Sequence, residues 1–155
     1  MIQVFSYTAD IVFVSFIAFV IGRYKVQRSI SENYYKLRAD NLGNLFTLFC
    51  VGFAFPVAML ASDIFITPAA MLICLVGVSR AFKESKLLRF FHMSGAYVGV
   101  VLSQIGICIS YDMWYITVAF FSISGILFLL KVKNKIFWVE ILAFLSIRIV
   151  LINFQ

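Results

Sequence analysis

The chain has 155 residues, 63% of them hydrophobic and 13% charged, with a mean hydropathy of +1.02. A soluble domain is roughly 45–50% apolar and about 25% charged, so an ordinary soluble domain is excluded, and the apolar excess excludes a disordered chain. The net charge is +6, but all bases except Arg148 lie in three clusters between apolar blocks, without the aromatic interleaving of a nucleic-acid platform. Nucleic acid is therefore not an expected partner; the lipid bilayer is, with anionic headgroups at the basic loops.

A helix crossing a bilayer needs about 20 mostly apolar residues. Six segments are predicted to cross, at about residues 2–22, 42–61, 68–82, 88–109, 113–130 and 136–152. The N-terminus lacks a basic stretch and no Ala-x-Ala site follows, so the first block is expected to be a retained span. From Leu42 to Ser79 the chain is apolar except at Ser62-Asp63. A single helix of that length would reach about 57 Å, nearly twice a hydrocarbon core, so a turn is predicted near Asp63. Thr67 is expected to cap the third helix with Pro68 at its first position. Asp112 and Asn134 are expected to cap the fifth and sixth helices. The fold class predicted is all-α: one polytopic transmembrane bundle of six helices.

The basic clusters are Arg23, Lys25, Arg28, Lys36 and Arg38; Arg80, Lys83, Lys86 and Arg89; and Lys131, Lys133 and Lys135. They follow the first, third and fifth blocks, whereas the remaining connections hold Asp63 and Asp112. The positive-inside rule then puts both termini on the non-cytoplasmic side, in keeping with a bacterial inner (plasma) membrane. In the first basic loop, Ser29-Ile30-Ser31-Glu32 has the spacing of a capping box. A short interfacial helix is predicted over 30–39, with Tyr34, Tyr35 and Leu37 sunk among headgroups.

Ionisable residues inside apolar blocks are costly and are the first functional candidates. Asp10 lies about 12 Å from the outer end of the first span and Arg148 about 6–10 Å from the outer end of the sixth. Opposite charges at similar depth suit either a structural ion pair or an outer substrate or ion site. His92 and Glu140 each lie about one turn from the inner end of their spans. They suit a proton relay, or two side chains reaching separately to the loop bases.

Gly95, Gly99, Ser103 and Gly106 line one face of the fourth span, a G-x-x-x-G stripe for close helix packing within the bundle or across a dimer. Ser122, Ser124 and Gly125 of the fifth span are possible mates, and Gln104 borders the stripe. The phenylalanines are expected to be lipid-facing bulk. Tyr111, Trp114 and Tyr115 suit an interfacial belt or, with Asp112, a cation cage. Cys50, Cys74 and Cys108 read as small apolar side chains. With one histidine and no H-E-x-x-H, G-x-S-x-G or P-loop, no catalytic residue, metal site or cofactor is assigned.

Ser29-Ile30-Ser31 after the first span and His92-Met93-Ser94-Gly95-Ala96 at the start of the fourth resemble the small six-span bacterial group of uncharacterised membrane proteins that includes the DRAM-type and Sfk-type proteins. The resemblance implies topology and no particular chemistry. The function expected first is a non-enzymatic transporter, channel or permeability factor. A structural or accessory subunit assembling through the stripe, as a homo-oligomer or with another membrane protein, comes second. A lipid-headgroup enzyme using His92 and Glu140 comes third.

Overall fold

The computed structural model describes residues 2–153. Among them are seven helices and no strand: α1 (Ile2–Tyr24), α2 (Asn33–Ala39), α3 (Asn44–Ala61), α4 (Ile66–Val78), α5 (Lys86–Ile109), α6 (Trp114–Leu129) and α7 (Lys135–Asn153). α1, α3, α5 and α7 are long and apolar enough to cross a membrane. α4 and α6 are apolar but have 13 and 16 residues. At 1.5 Å per residue they measure about 20 and 24 Å, short of a core of about 30 Å.

The helix ends differ from the expected ones because single side chains make other bonds. α4 begins at Ile66, two residues before Pro68, and its capping group is Asp63. The Asp63 carboxylate accepts from Phe65 N at 2.6 Å and Ile66 N at 3.1 Å, while Thr67 Oγ1 accepts from Asp63 N at 3.3 Å. Thr67 thus completes the cap from inside the helix. α4 ends at Val78, not at 82: Ser79 Oγ donates to the Leu75 carbonyl at 2.6 Å, and the chain beyond folds onto α2 and α3. There Arg80 Nη1 donates to Asn44 Oδ1 at 2.8 Å and Thr47 Oγ1 at 2.9 Å, and Lys83 N donates to Tyr35 Oη at 2.6 Å.

Asp112 does not cap α6; it has a left-handed φ of 52° and the N-cap position falls on Met113. Asn134, also left-handed at φ 57°, turns its amide to the Val26 carbonyl at 2.6 Å rather than capping α7. Left-handed residues end other helices too. After α2, Asn41 lets Leu42 N reach the Leu37 carbonyl at 2.7 Å. After α6, Lys131 lets Val132 N reach the Leu127 carbonyl at 3.1 Å. These bonds close the terminal turns in Schellman fashion.

The short helix α2 starts at Asn33 rather than 30. Ser29 Oγ accepts from Glu32 N at 3.2 Å, but Glu32 does not complete the capping box; its carboxylate pairs with Lys83 Nζ at 2.9 Å. The apolar face of this segment covers the protein itself, not a headgroup layer. Ile30, Tyr34 and Leu37 are buried in the core, and the Tyr34 ring lies 6.3 Å from that of Phe46. Arg23–Asp40 and Arg38–Glu84 add ion pairs at this basic end. Hydrogen bonds from Tyr24 and then Arg23 hold the Asp40 carboxyl below its ordinary range. Exposed pairs of this kind are screened by water, so they shape this end more than they stabilise it.

The core is aromatic, so the expectation of lipid-facing phenylalanines fails for part of them, while Phe55, Phe90 and Phe121 are exposed. Phe13 and Phe16 of α1, and Phe46, Phe49 and Phe53 of α3, are all buried. Their spacings, i, i+3 in α1 and i, i+3, i+7 in α3, put each set on one helix face. Phe16 stacks on Phe49 at 4.1 Å, and Phe144 of α7 meets Phe53 at 4.7 Å and Phe13 at 5.5 Å.

The small-residue stripe of α5 lies against α4. A Cβ on Gly95 would stand 3.0 Å from the Leu72 carbonyl oxygen, and one on Gly106 would stand 2.8 Å from Ile66 Cγ1. Gly99 and Ser103 are buried with them. The mates are therefore α4 residues, not Ser122 or Gly125; Gly125 has open space where a Cβ would go.

At the end opposite the bases, Tyr111 donates to the Ala61 carbonyl at 2.9 Å, and Ser110 Oγ lies 3.4 Å from Asp63 Oδ1. Burial, with the nearby Asp63 carboxylate, pushes the Tyr111 phenol up to about 12. A raised acid pKa in the folded state means that its proton stabilises the fold. That stability is complete below the unfolded value near 10 and is lost as pH rises toward 12. The difference in 295-nm absorbance between the protein and Tyr111→Phe should show no phenolate from this residue at pH 10.5. Half-ionisation at pH 10 would show that its environment is ordinary.

Candidate functional site: two polar sites and a central cavity

Arg148 and Asp10 meet across α7 and α1. Arg148 Nε donates to Asp10 Oδ1 at 2.6 Å and Nη2 donates to Oδ2 at 2.8 Å, a two-pronged contact of the strong planar kind. Nη2 also donates to Ser6 Oγ at 2.9 Å. The burden is unequal: the arginine side chain is 4% exposed and that of the aspartate 41%. Nη1 of Arg148 is buried with no acceptor among the described residues. The geometry is that of a clasp between the first and last helices. Its cation is already neutralised, which leaves little net field for an anion.

His92 and Glu140 are not brought together, and neither bonds to a Lys or Arg side chain among the described residues. His92 is buried between α4 and α5, with Nδ1 3.2 Å from the Val76 carbonyl oxygen and its ring stacked on Phe82 at 4.2 Å. Glu140 Oε2 accepts from Ile30 N at 2.5 Å. Beside it, Phe137 N donates to the Arg28 carbonyl at 3.1 Å. With the bond from Asn134, these contacts fasten the start of α7 to the loop after α1. A His–Glu relay needs the two side chains, or a bridging water, in hydrogen-bond reach; their separate backbone partners give them different tasks.

Glu140 has a second environment that the sequence does not announce. It lies on the wall of a cavity of about 70 Å³ among α3, α4, α5 and α7. Phe46, Phe49, Ile73, Val100, Phe144 and Ile147 supply most of the wall, with Ser31 and Ser103 as its few hydroxyls. Ser103 Oγ donates to its own helix at the Val100 carbonyl, 2.8 Å away. Glu140 Oε1 has no hydrogen-bond donor among the described residues. The signal for this pocket was in the sequence only as the 46/49/53 aromatic face and the small residues of α5, which leave room beside α4.

A third polar contact, Gln104 Nε2 to Ser146 Oγ at 2.9 Å, ties α5 to α7. Ser6 and Ser146 carry no signal in the sequence, because isolated serines in apolar helices form no pattern. The aromatic cage does not form: Tyr111 turns its hydroxyl to Ala61, and Trp114 and Tyr115 are exposed. Among the described residues no three His, Cys, Asp or Glu side chains gather in a metal-binding arrangement. No family model, curated protein or solved structure matches this chain.

Proposed function

We propose that the chain is an integral membrane protein of six crossings, with both termini outside, which carries a small solute through its interior without chemical change. The observation that carries this reading is the cavity between four helices with one carboxylate in its wall. Its apolar lining favours a carrier that occludes its cargo over a continuously hydrated channel. Arg148 follows Glu140 by eight positions of α7, about 12 Å of mostly apolar helix, so the two polar sites do not join into a wet path.

The short helices α4 and α6 cross in this reading with the turns at 62–65, 79–85 and 110–113 lying at headgroup level beyond their ends. The basic loops then face the cytoplasm of a bacterial cell, with Lys86, Arg89, Lys131 and Lys133 near anionic headgroups. Topology of the DRAM-type and Sfk-type kind belongs to the same proposal.

The test is flux. Proteoliposomes of the purified protein, challenged with gradients of small cations, amines and neutral solutes, should admit at least one class faster than protein-free vesicles. Glu140→Gln should reduce that flux tenfold or more, while Asp10→Asn, at the clasp, changes it little. Permeability equal to that of empty vesicles across the whole panel rejects the reading.

A further inference from the structure

The cavity has one polar group in its wall that can take a further partner. Glu140 is half-buried, and a partly dehydrated carboxylate gains from a cation or a donor beside it. Glu140 has one donor, Ile30 N, on Oε2, and no ion pair. The bases of the nearby loops do not reach it; Arg38 and Lys83 are engaged by Glu84 and Glu32. On the far side of the carboxylate the walls are hydrocarbon and phenyl rings, with Phe49 and Phe144 at 5.7 Å and Phe46 and Phe49 at 6.4 Å between centroids. Ring faces attract cations. The site offers one carboxyl oxygen and a greasy chamber, which disfavours anions and sugars and suits an ion that is cationic at one end and apolar at the other.

Size narrows the class. A water needs roughly 10–15 Å³ of such space, so about 70 Å³ holds roughly five waters. That is the bulk of a ligand with about five non-hydrogen atoms. We infer that the cavity is a binding site for a small primary alkylammonium ion, its nitrogen donating to Glu140 Oε1 and its alkyl chain lying among Phe46, Phe49 and Phe144. This identifies the solute class of the carrier proposed above and rests on that reading for its physiological role. Binding itself does not require transport.

The experiment is calorimetric titration of the full chain in lipid nanodiscs with methyl-, ethyl-, propyl-, butyl- and hexylammonium, subtracting protein-free nanodiscs. Affinity should rise roughly fourfold per CH₂ up to butyl, the increment of a buried methylene, and stop rising at hexyl, which exceeds the chamber. Glu140→Gln keeps an acceptor for Ile30 N and removes the charge; it should weaken butylammonium at least tenfold. 1-Butanol should bind at least tenfold more weakly than butylammonium. Ala143→Leu, which fills the chamber, should abolish butylammonium binding and spare methylammonium. Three results overturn the inference: no saturable heat with any amine, equal affinity in Glu140→Gln, or butanol binding as well as butylammonium. The last would mean a protonated carboxyl in a merely apolar hole. Saturable binding without amine flux in the vesicles would reject the carrier and keep the site; flux of another solute without amine binding would keep the carrier and reject the site.

Discussion

Asp10→Ala is expected to cost about 3 kcal/mol of stability, several times the cost of Arg148→Met. The asymmetry follows from burial. Removing Asp10 strands a guanidinium whose side chain is 4% exposed, leaving it only Ser6, with Nη1 already lacking an acceptor. Removing Arg148 leaves a carboxylate on a side chain 41% exposed, which water can reach, and Met restores much of the lost volume. Breaking a buried pair by deleting one partner costs about 3–5 kcal/mol; the half-open position of Asp10 places this pair at the lower edge. The double variant Asp10→Leu/Arg148→Met should regain most of the loss, since an apolar replacement of a buried pair is often neutral. Thermal unfolding of the four proteins in one detergent ranks these costs. An Asp10→Ala midpoint no lower than that of Arg148→Met would show that the guanidinium does not depend on its clasp.

The coarse fold was legible because hydropathy is summed over about 20 residues and a misplaced residue hardly changes the sum. The helical class and the long apolar helices α1, α3, α5 and α7 follow from it. Helix ends were less legible because each depends on one or two side chains. Thr67-Pro68 carries the usual signal for a helix start, but Asp63 reaches two backbone N–H groups where Thr67 reaches one. Asn134 looks like a cap locally, yet its partner, Val26, is 108 residues away. The same limit applies to the polar pairs. Matching depth and charge puts Asp10 with Arg148, and their bonds are 2.6 and 2.8 Å. Matching depth puts His92 with Glu140 as well, and there each side chain bonds elsewhere. Depth fixes one coordinate, while the rotation of each helix and its place in the bundle fix the others. The aromatic core was hidden for a different reason: a phenylalanine facing lipid and one facing protein have the same hydropathy, and only their spacing separates them.

Gly95→Leu is the second substitution expected to act strongly, and its sign and site separate the two uses of the α5 stripe. A Cβ at Gly95 would already stand 3.0 Å from the Leu72 carbonyl oxygen and 3.1 Å from Val76 Cγ2. The carbonyl belongs to the α4 backbone and cannot swing aside, so a whole isobutyl group must push α4 and α5 apart. Overpacking typically costs about 1–3 kcal/mol, and a clash with backbone belongs at the upper end of that range. Separation of these helices would also strip the packing of His92 against Val76 and Phe82. Gly77→Ala tests the other face of α4, where a Cβ would stand 2.6 Å from Cys50 Cβ. Gly125→Ala is the control with the opposite sign: nothing lies within 4 Å of its Cβ, and Ala for Gly inside a helix should gain about 0.5–1 kcal/mol. Unfolding midpoints should therefore fall for Gly95→Leu and Gly77→Ala and rise for Gly125→Ala. Light scattering should show the same particle mass for all of them, because the stripe is spent on α4 within one chain. A Gly95→Leu protein that unfolds at the original midpoint but changes its mass would assign the stripe to an interface between chains instead.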